Sequence, residues 1–292
     1  MAEIHGRLGL DKALRNGELI SFKSLDSALL SRAVLFEEET LILRPWLARA
    51  DRRSVTQREA AFGFGTGPDI AIKGEEGEEA SNVWKRALAA CKTYYRRERL
   101  PLEDVQDAGV KYLDAELALF AAAYLDAVNA ACFTMIQAAA VASAGVTDVY
   151  SEVAVIETSG AGALASTDVD GLIIALPAKH RRDAVFAGNS AMASKCRALR
   201  AGVNGACLWS SAVAPGLLAT FYDRPFVEDD GVEEDCLIFG SPSRASGVAE
   251  QSGPTLVDIE RLTGDYRPYI QARAAAVLKD ARAVKILDIA TT

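Results

Sequence analysis

Ser190 is the residue that most invites a chemical reading. It stands between Ala184-Val185-Phe186-Ala187, which reads as a short strand, and a helix-like run at 190–200, where a nucleophile elbow would sit. The local string Gly188-Asn189-Ser190-Ala191-Met192 lacks the second glycine of G-x-S-x-G, and no histidine follows His180 to complete a triad in the order Ser, acid, His. Ser190 is expected to cap a helix instead. Gly63, Gly65 and Gly67 hint at a phosphate loop. A dinucleotide fingerprint needs a hydrophobic strand before it and a helix after it, whereas basic residues precede this one and Pro68-Asp69 follow, so a bend is expected. Glu228, Asp229, Asp230, Glu233, Glu234 and Asp235 crowd contiguously around Gly231, but a calcium loop alternates its acidic ligands. A solvated turn between two strands is expected there. His180, beside Lys179, Arg181 and Arg182, reads as an exposed basic corner. No catalytic, cofactor-binding or metal-ligating residue is expected, and no cofactor.

Cysteine usage agrees. Cys91, Cys132, Cys196, Cys207 and Cys236 are odd in number and none is spaced C-x-x-C, so buried reduced thiols of a cytoplasmically made protein are expected. Only His5 and His180 could add imidazoles to a zinc site. A net charge of −8 argues against a protein that coats nucleic acid through its phosphates, and is compatible with a wall that encloses the polymer without gripping it. The start Met1-Ala2-Glu3-Ile4-His5-Gly6-Arg7 does not read as a signal peptide, and the apolar run 117–128, broken by Asp126, is too short to span a bilayer. No membrane is expected.

The elements that would position these residues come next. With 292 residues, half of them hydrophobic and a quarter charged, the chain is long enough for one large or two modest domains. Residues 1–43 read as an arm-like lead-in, with an amphipathic stretch at 8–19 and the apolar run Ala28-Leu29-Leu30-Ser31-Arg32-Ala33-Val34-Leu35-Phe36. Charge then falls in blocks. Arg44, Arg49, Arg52, Arg53 and Arg58 come first, Glu75, Glu76, Glu78 and Glu79 follow, then Lys85, Arg86, Lys92, Arg96, Arg97 and Arg99. Few large apolar side chains lie between Val55 and Val83, so this segment reads as a long excursion that leaves the body and returns.

Leu102, Val105, Leu113, Leu117, Phe120, Tyr124 and Val128 recur at helical spacing, predicting a rod from Pro101 to about Asn129 that continues toward Ala142 if the alanine-rich stretch joins it. Strands are predicted at 149–156, 184–187, 217–227, 236–239, 245–251 and 255–262, and helices at 168–176 and 190–200. Without steady βαβ alternation, the fold class is α+β.

From about Asp69 onward the order of these features resembles the Hong Kong 97-type capsid proteins of tailed bacteriophages. Residues 84–100 are similar to the family's returning strand, and Pro101-Leu102-Glu103-Asp104-Val105-Gln106-Asp107-Ala108 to the opening of its spine helix. Residues 168–200 resemble its helix–strand–helix region, Phe221-Tyr222-Asp223-Arg224-Pro225-Phe226-Val227 its entry into later strands, and Cys236-Leu237-Ile238-Phe239-Gly240-Ser241 its strand ending in Phe-Gly. Helix propensity alone would make the alanine-rich stretches 86–91 and 274–287 helical. The resemblance makes the first a strand and the second two strands about a tight turn near Lys279-Asp280.

The resemblance implies an α+β capsid fold with an N-terminal arm (1–43), an extended E-loop (44–85), a peripheral domain with the spine helix (86–135), an axial domain (136–265) and closing peripheral strands (266–292). It implies a shell subunit rather than an enzyme, forming pentamers and hexamers around double-stranded DNA in a virion assembled in the host cytoplasm. Scaffolding, portal and decoration proteins are the implied partners. An encapsulin-like nanocompartment shares the fold and is the alternative, with an α+β enzyme behind it. The acidic tip (Glu75, Glu76, Glu78 and Glu79), or the basic flanks (Arg44, Arg49, Arg52, Arg53, Arg58, Lys85 and Arg86), are expected to pair with opposite charge on adjacent subunits, so that charge reversal at Arg52 and Arg53 impairs particles and leaves the monomer folded.

Overall fold

The helical spacing of Phe120, Tyr124 and Val128 is realised in a 29-residue helix, Val110–Ala138, seen in a computed structural model that describes residues 44–55, 59–65, 84–97, 99–101, 110–200, 205–211, 218–262 and 265–289. In chain order the elements are helix α1 (Pro45–Arg49), strands β1 (Asp51–Ser54), β2 (Glu59–Gly65), β3 (Trp84–Ala90), β4 (Lys92–Arg97) and β5 (Leu100–Pro101), and the long helix α2. Next come β6 (Ala140–Ala142), β7 (Val153–Glu157), α3 (Ser166–Ala175), α4 (Ala178–Arg181), β8 (Val185–Gly188), α5 (Ser190–Ala198), β9 (Trp209–Ser210), β10 (Thr220–Phe221) and β11 (Arg224–Glu228). The chain closes with β12 (Cys236–Gly240), α6 (Pro242–Ala245), β13 (Ser246–Leu262), β14 (Asp265–Leu278) and β15 (Val284–Asp288).

Two sheets flank one core. A five-stranded sheet runs β1-β13-β14-β4, with β5 added on β14, and an eight-stranded sheet runs β6-β7-β15-β12-β8-β11-β10-β9. Helix α2 buries Phe120, Tyr124, Leu125, Val128, Cys132, Phe133 and Ile136 in a cluster with Val248, Ile270, Ala272 and Ala274 of the first sheet and Val153, Val185, Ile238 and Ile286 of the second. On the far face of the eight-stranded sheet, Phe186, Leu237, Phe239 and Leu287 pack on Val169 and Leu172 of α3 and Met192 and Cys196 of α5. By length and hydropathy 118–138 could cross a membrane, but half of it is buried in the fold, so its apolar character serves the core.

The alanine-rich stretches behave as strands. β14 is covered on both faces: Ala272 and Ala274 meet the helix side, while Ala275 and Val277 share a cluster with the buried Phe62 of β2. Small side chains let both layers approach, and that packing outweighs helix propensity. The chain then turns at Lys279-Asp280 and forms β15 after one short helical turn, Ala281–Ala283. β2 and β3 form an antiparallel ribbon with Phe64 opposite Lys85 and Gly63 opposite Arg86.

Several local expectations are corrected. Pro101 is not the first helical residue: it belongs to β5 and pairs with Asp265, a sheet-margin position where a residue without an N–H is tolerated. Residues 102–109 lie outside the described residues. Phe62-Gly63-Phe64-Gly65 is strand, not bend. The strand expected at 149–156 begins only at Val153. The single strand expected at 217–227 is split, because Tyr222 and Asp223 adopt positive φ (51° and 57°) and turn the chain back between β10 and β11. The two strands expected at 245–251 and 255–262 are one, β13, kinked by register shifts between Glu250 and Asp258. β13 and β14 share a sheet, and β15 is internal to the other.

Candidate assembly surfaces

The basic block at 44–53 is set on α1 and β1, and the fold spends most of its charge inside the chain. Arg44 is buried; its Nε donates to Asp126 Oδ1 at 2.6 Å and its Nη2 to the Ala122 carbonyl at 3.0 Å, both on α2. Arg52 donates to Glu250 Oε1 at 2.8 Å, an acceptor that Tyr124 also approaches at 3.4 Å. Arg53 grips Asp51 with two hydrogen bonds, 3.1 and 2.7 Å, while its guanidinium lies 5.0 Å from the Phe62 ring centre. Lys279 donates to the same Asp51 at 2.5 Å. Burial alone would raise the Asp51 carboxyl, but the hydrogen bonds from Arg53 and Lys279 win and hold it below its ordinary value.

Arg49, exposed at the end of α1, keeps its charge toward solvent, and Arg53 remains half exposed. Lys85 and Arg86 are placed by backbone on β3. Arg58, Glu75, Glu76, Glu78 and Glu79 lie outside the described residues. The fold thus gathers Arg52 and Arg53 beside the base of the β2–β3 ribbon, and separates Arg44 from them by fixing it to α2.

Sequence reasoning missed a second surface. β4 ends the five-stranded sheet among the described strands, and its alternate residues Thr93, Tyr95 and Arg97 are exposed. Tyr95, 67% exposed, lies beside Tyr269 with ring centres 6.0 Å apart. Leu88 on β3 is equally exposed. The alternation of Lys92-Thr93-Tyr94-Tyr95-Arg96-Arg97 was the available signal, since Tyr94 turns inward to meet Tyr124 edge-on at 5.5 Å.

The residues that first suggested chemistry have structural duties. Asn189, not Ser190, caps α5, accepting from the Met192 amide at 2.8 Å. His180 is 3% exposed, the reverse of the expected basic corner, and among the described residues neither ring nitrogen has a hydrogen-bond partner. Burial therefore pushes the imidazole below its ordinary value; Asp280 opposes this, and Lys179, Arg244 and Arg282 add to it. The acidic turn at 228–235 joins β11 to β12 and is tied down. Asn129 donates to Asp229, Lys195 to Asp235, and Arg197 to Glu228 at 3.0 Å. Burial raises the Asp229 carboxyl above its usual value despite the donations from the Gly231 amide and Asn129. Among the described residues no three His, Cys, Asp or Glu side chains are grouped to hold a metal. All five thiols are free, and Cys207 is exposed rather than buried.

This architecture is shared by capsid subunits. The capsid of an empty GTA particle matches with a TM-score of 0.71 at 17% identity, over 85% of this chain and 90% of that one. A structure of Gordonia phage Cozz matches with a TM-score of 0.57 at 13% identity, over 85% and 87% of the two chains. A virus-like particle from Pyrococcus furiosus gives 0.56 at 11%, over 88% and 96%. No protein-family model and no curated protein matches the sequence. The fold is therefore α+β of the phage-capsid class, the Hong Kong 97-type fold that the sequence resemblance implied.

Proposed function

We propose that the chain is the major capsid protein of a tailed bacteriophage, or of a phage-like particle, and acts by assembling with copies of itself. The observation that carries this reading is the structural match to capsid subunits over most of both chains. In this reading 1–43 is the arm, the β2–β3 ribbon is the stem of the E-loop, α2 with the five-stranded sheet forms the peripheral domain, and the eight-stranded sheet with α3 and α5 forms the axial domain. Pentamers and hexamers would close a shell around double-stranded DNA, held by confinement rather than by phosphate contacts, as the net charge of −8 favours. Scaffolding, portal and decoration proteins would be its partners in the host cytoplasm, and the virion its destination. Many modest contacts between subunits suit a shell that corrects errors while it grows. Arg49, Arg53, Arg58, Lys85 and Arg86 on one side, and Glu75, Glu76, Glu78 and Glu79 on the other, are the proposed charged contacts.

Negative-stain microscopy of the expressed protein tests this directly: closed particles of uniform size are expected. A monomer whose melting point shifts with a small ligand would overturn the reading in favour of an enzyme. Particles filled with a protein cargo in place of nucleic acid would assign an encapsulin-like compartment.

A further inference from the structure

The chain crosses between its two sheets at two neighbouring places. β12 of the eight-stranded sheet leads through 241–245 into β13 of the five-stranded one, and β14 returns through 279–283 to β15. The crossings are bonded side by side: the Ser241 amide donates to the Ala283 carbonyl at 2.9 Å, and the Lys279 amide to the Ala245 carbonyl at 2.7 Å. In the second crossing Asp280 holds the turn together. Its Oδ1 accepts from the Arg282 amide and Nε at 3.0 and 2.9 Å, and its Oδ2 accepts from Arg282 Nη2 at 2.9 Å. The same guanidinium lies 4.2 Å from the Tyr150 ring centre.

His180 of α4 is buried where charges from both crossings face it. Asp280 is the facing carboxylate. Lys179 of its own helix, Arg244 of α6 and Arg282 are the facing cations, and Lys285 on β15 is a further cation near Asp280. A neutral imidazole with no partner among the described residues is costly there, and an imidazolium far more so. It adds positive charge among cations, and both of its ring nitrogens become donors. The carboxylate that could accept from it is already committed to Arg282.

We propose that His180 is a proton-operated catch on the joint between the two sheets: on taking up a proton it draws Asp280 from Arg282, and the crossing at 279–283 loosens. The imidazole takes the proton from solvent, and no other covalent bond changes. Burial depresses its pKa in the closed joint, so an opened joint binds the proton more tightly and acid favours opening. The catch belongs to the folded single chain, so its failure leaves the shell function standing, and the reverse holds too.

Hydrogen exchange on the full-length chain tests this, read as protection relative to the intrinsic rate at about pH 7.5 and about pH 5. In acid, protection at 279–284 is expected to fall roughly tenfold or more beyond any fall in α5, the change that one pKa unit of difference between closed and opened joint produces. In His180→Gln the two segments are expected to change together. Equal losses in the unaltered protein would mean that acid acts on the whole fold, and would overturn the catch. So would an excess loss at 279–284 that survives in His180→Gln. His180→Phe, which also cannot take up a proton, repeats the reading with an apolar ring should the glutamine variant not fold, and an excess loss surviving there overturns the proposal in the same way.

Discussion

The indole N–H of Trp46 donates to the Ser246 hydroxyl at 3.1 Å, joining positions 200 apart in the chain. Both residues are fully buried, and the indole also leans on Phe133. One side chain thus ties α1 and the long helix to the first residue of β13. The start of the described structure is locked into the core at this point.

Trp46→Phe keeps most of the packing and leaves the Ser246 hydroxyl buried without its donor, so a loss of about 1–3 kcal/mol is expected. Trp46→Ala adds a cavity and should cost about 3–5 kcal/mol. Denaturant unfolding followed by circular dichroism measures both, and equal losses for the two variants would mean that the hydrogen bond, not the packing, carries the joint.

The long helix was legible because its core contacts lie on one face at fixed spacing, and Phe120, Tyr124 and Val128 are buried as the pattern requires. Composition misleads at β14, where alanines serve a strand because layers cover both of its sides. Pair partners far apart in sequence were not legible. Arg52 finds Glu250 across 198 positions and Arg44 finds Asp126 across 82, and no local rule links them. His180 shows the same limit. Its charged neighbours suggest a surface, but the burial is made by the distant parts of the chain that bring Arg244, Asp280 and Arg282 near it.

The in-chain pairing of Arg52 changes the expected outcome of charge reversal. Arg52→Glu sets a second carboxylate against Glu250 at a partly buried site, so the monomer itself should lose about 1–3 kcal/mol. Arg49→Glu, at an exposed position, should leave stability within about 0.5 kcal/mol. If Arg49 serves assembly, particles are lost in that variant while the unfolding midpoint holds. Normal particles from Arg49→Glu would remove it from the proposed contacts.

His180 makes stability fall with acid. Its folded pKa is depressed below the ordinary value of about 6.5, chiefly by burial. The unfolded chain therefore takes up the proton first, so stability declines as pH drops below about 6.5 and levels off once the folded form is also protonated. His180→Gln has no proton to bind there. Between pH 7.5 and 5.5 its unfolding midpoint should fall less than that of the unaltered protein, and parallel curves would sink the assignment.

Two glycines should respond to alanine in opposite senses, which separates close strand packing from helix propensity. A Cβ on Gly240 would stand 2.6 Å from the Ala283 carbonyl oxygen and 2.8 Å from Val284 Cα. Both obstacles are backbone of the segment that pairs with β12, so neither can swing aside. Gly240→Ala must push β15 away from its neighbour in the sheet, at an expected loss of about 1–3 kcal/mol. Gly171, in α3, has nothing within 4 Å of the same position. There the added methyl only removes backbone freedom from the unfolded chain and improves the helix, so Gly171→Ala should gain about 0.5–1 kcal/mol. Chemical denaturation of the two variants side by side reads both signs. A neutral Gly240→Ala would mean that β12 and β15 can separate by several tenths of an ångström without cost, and the tight registry of Gly240 with Val284 would then not be what holds the two strands together.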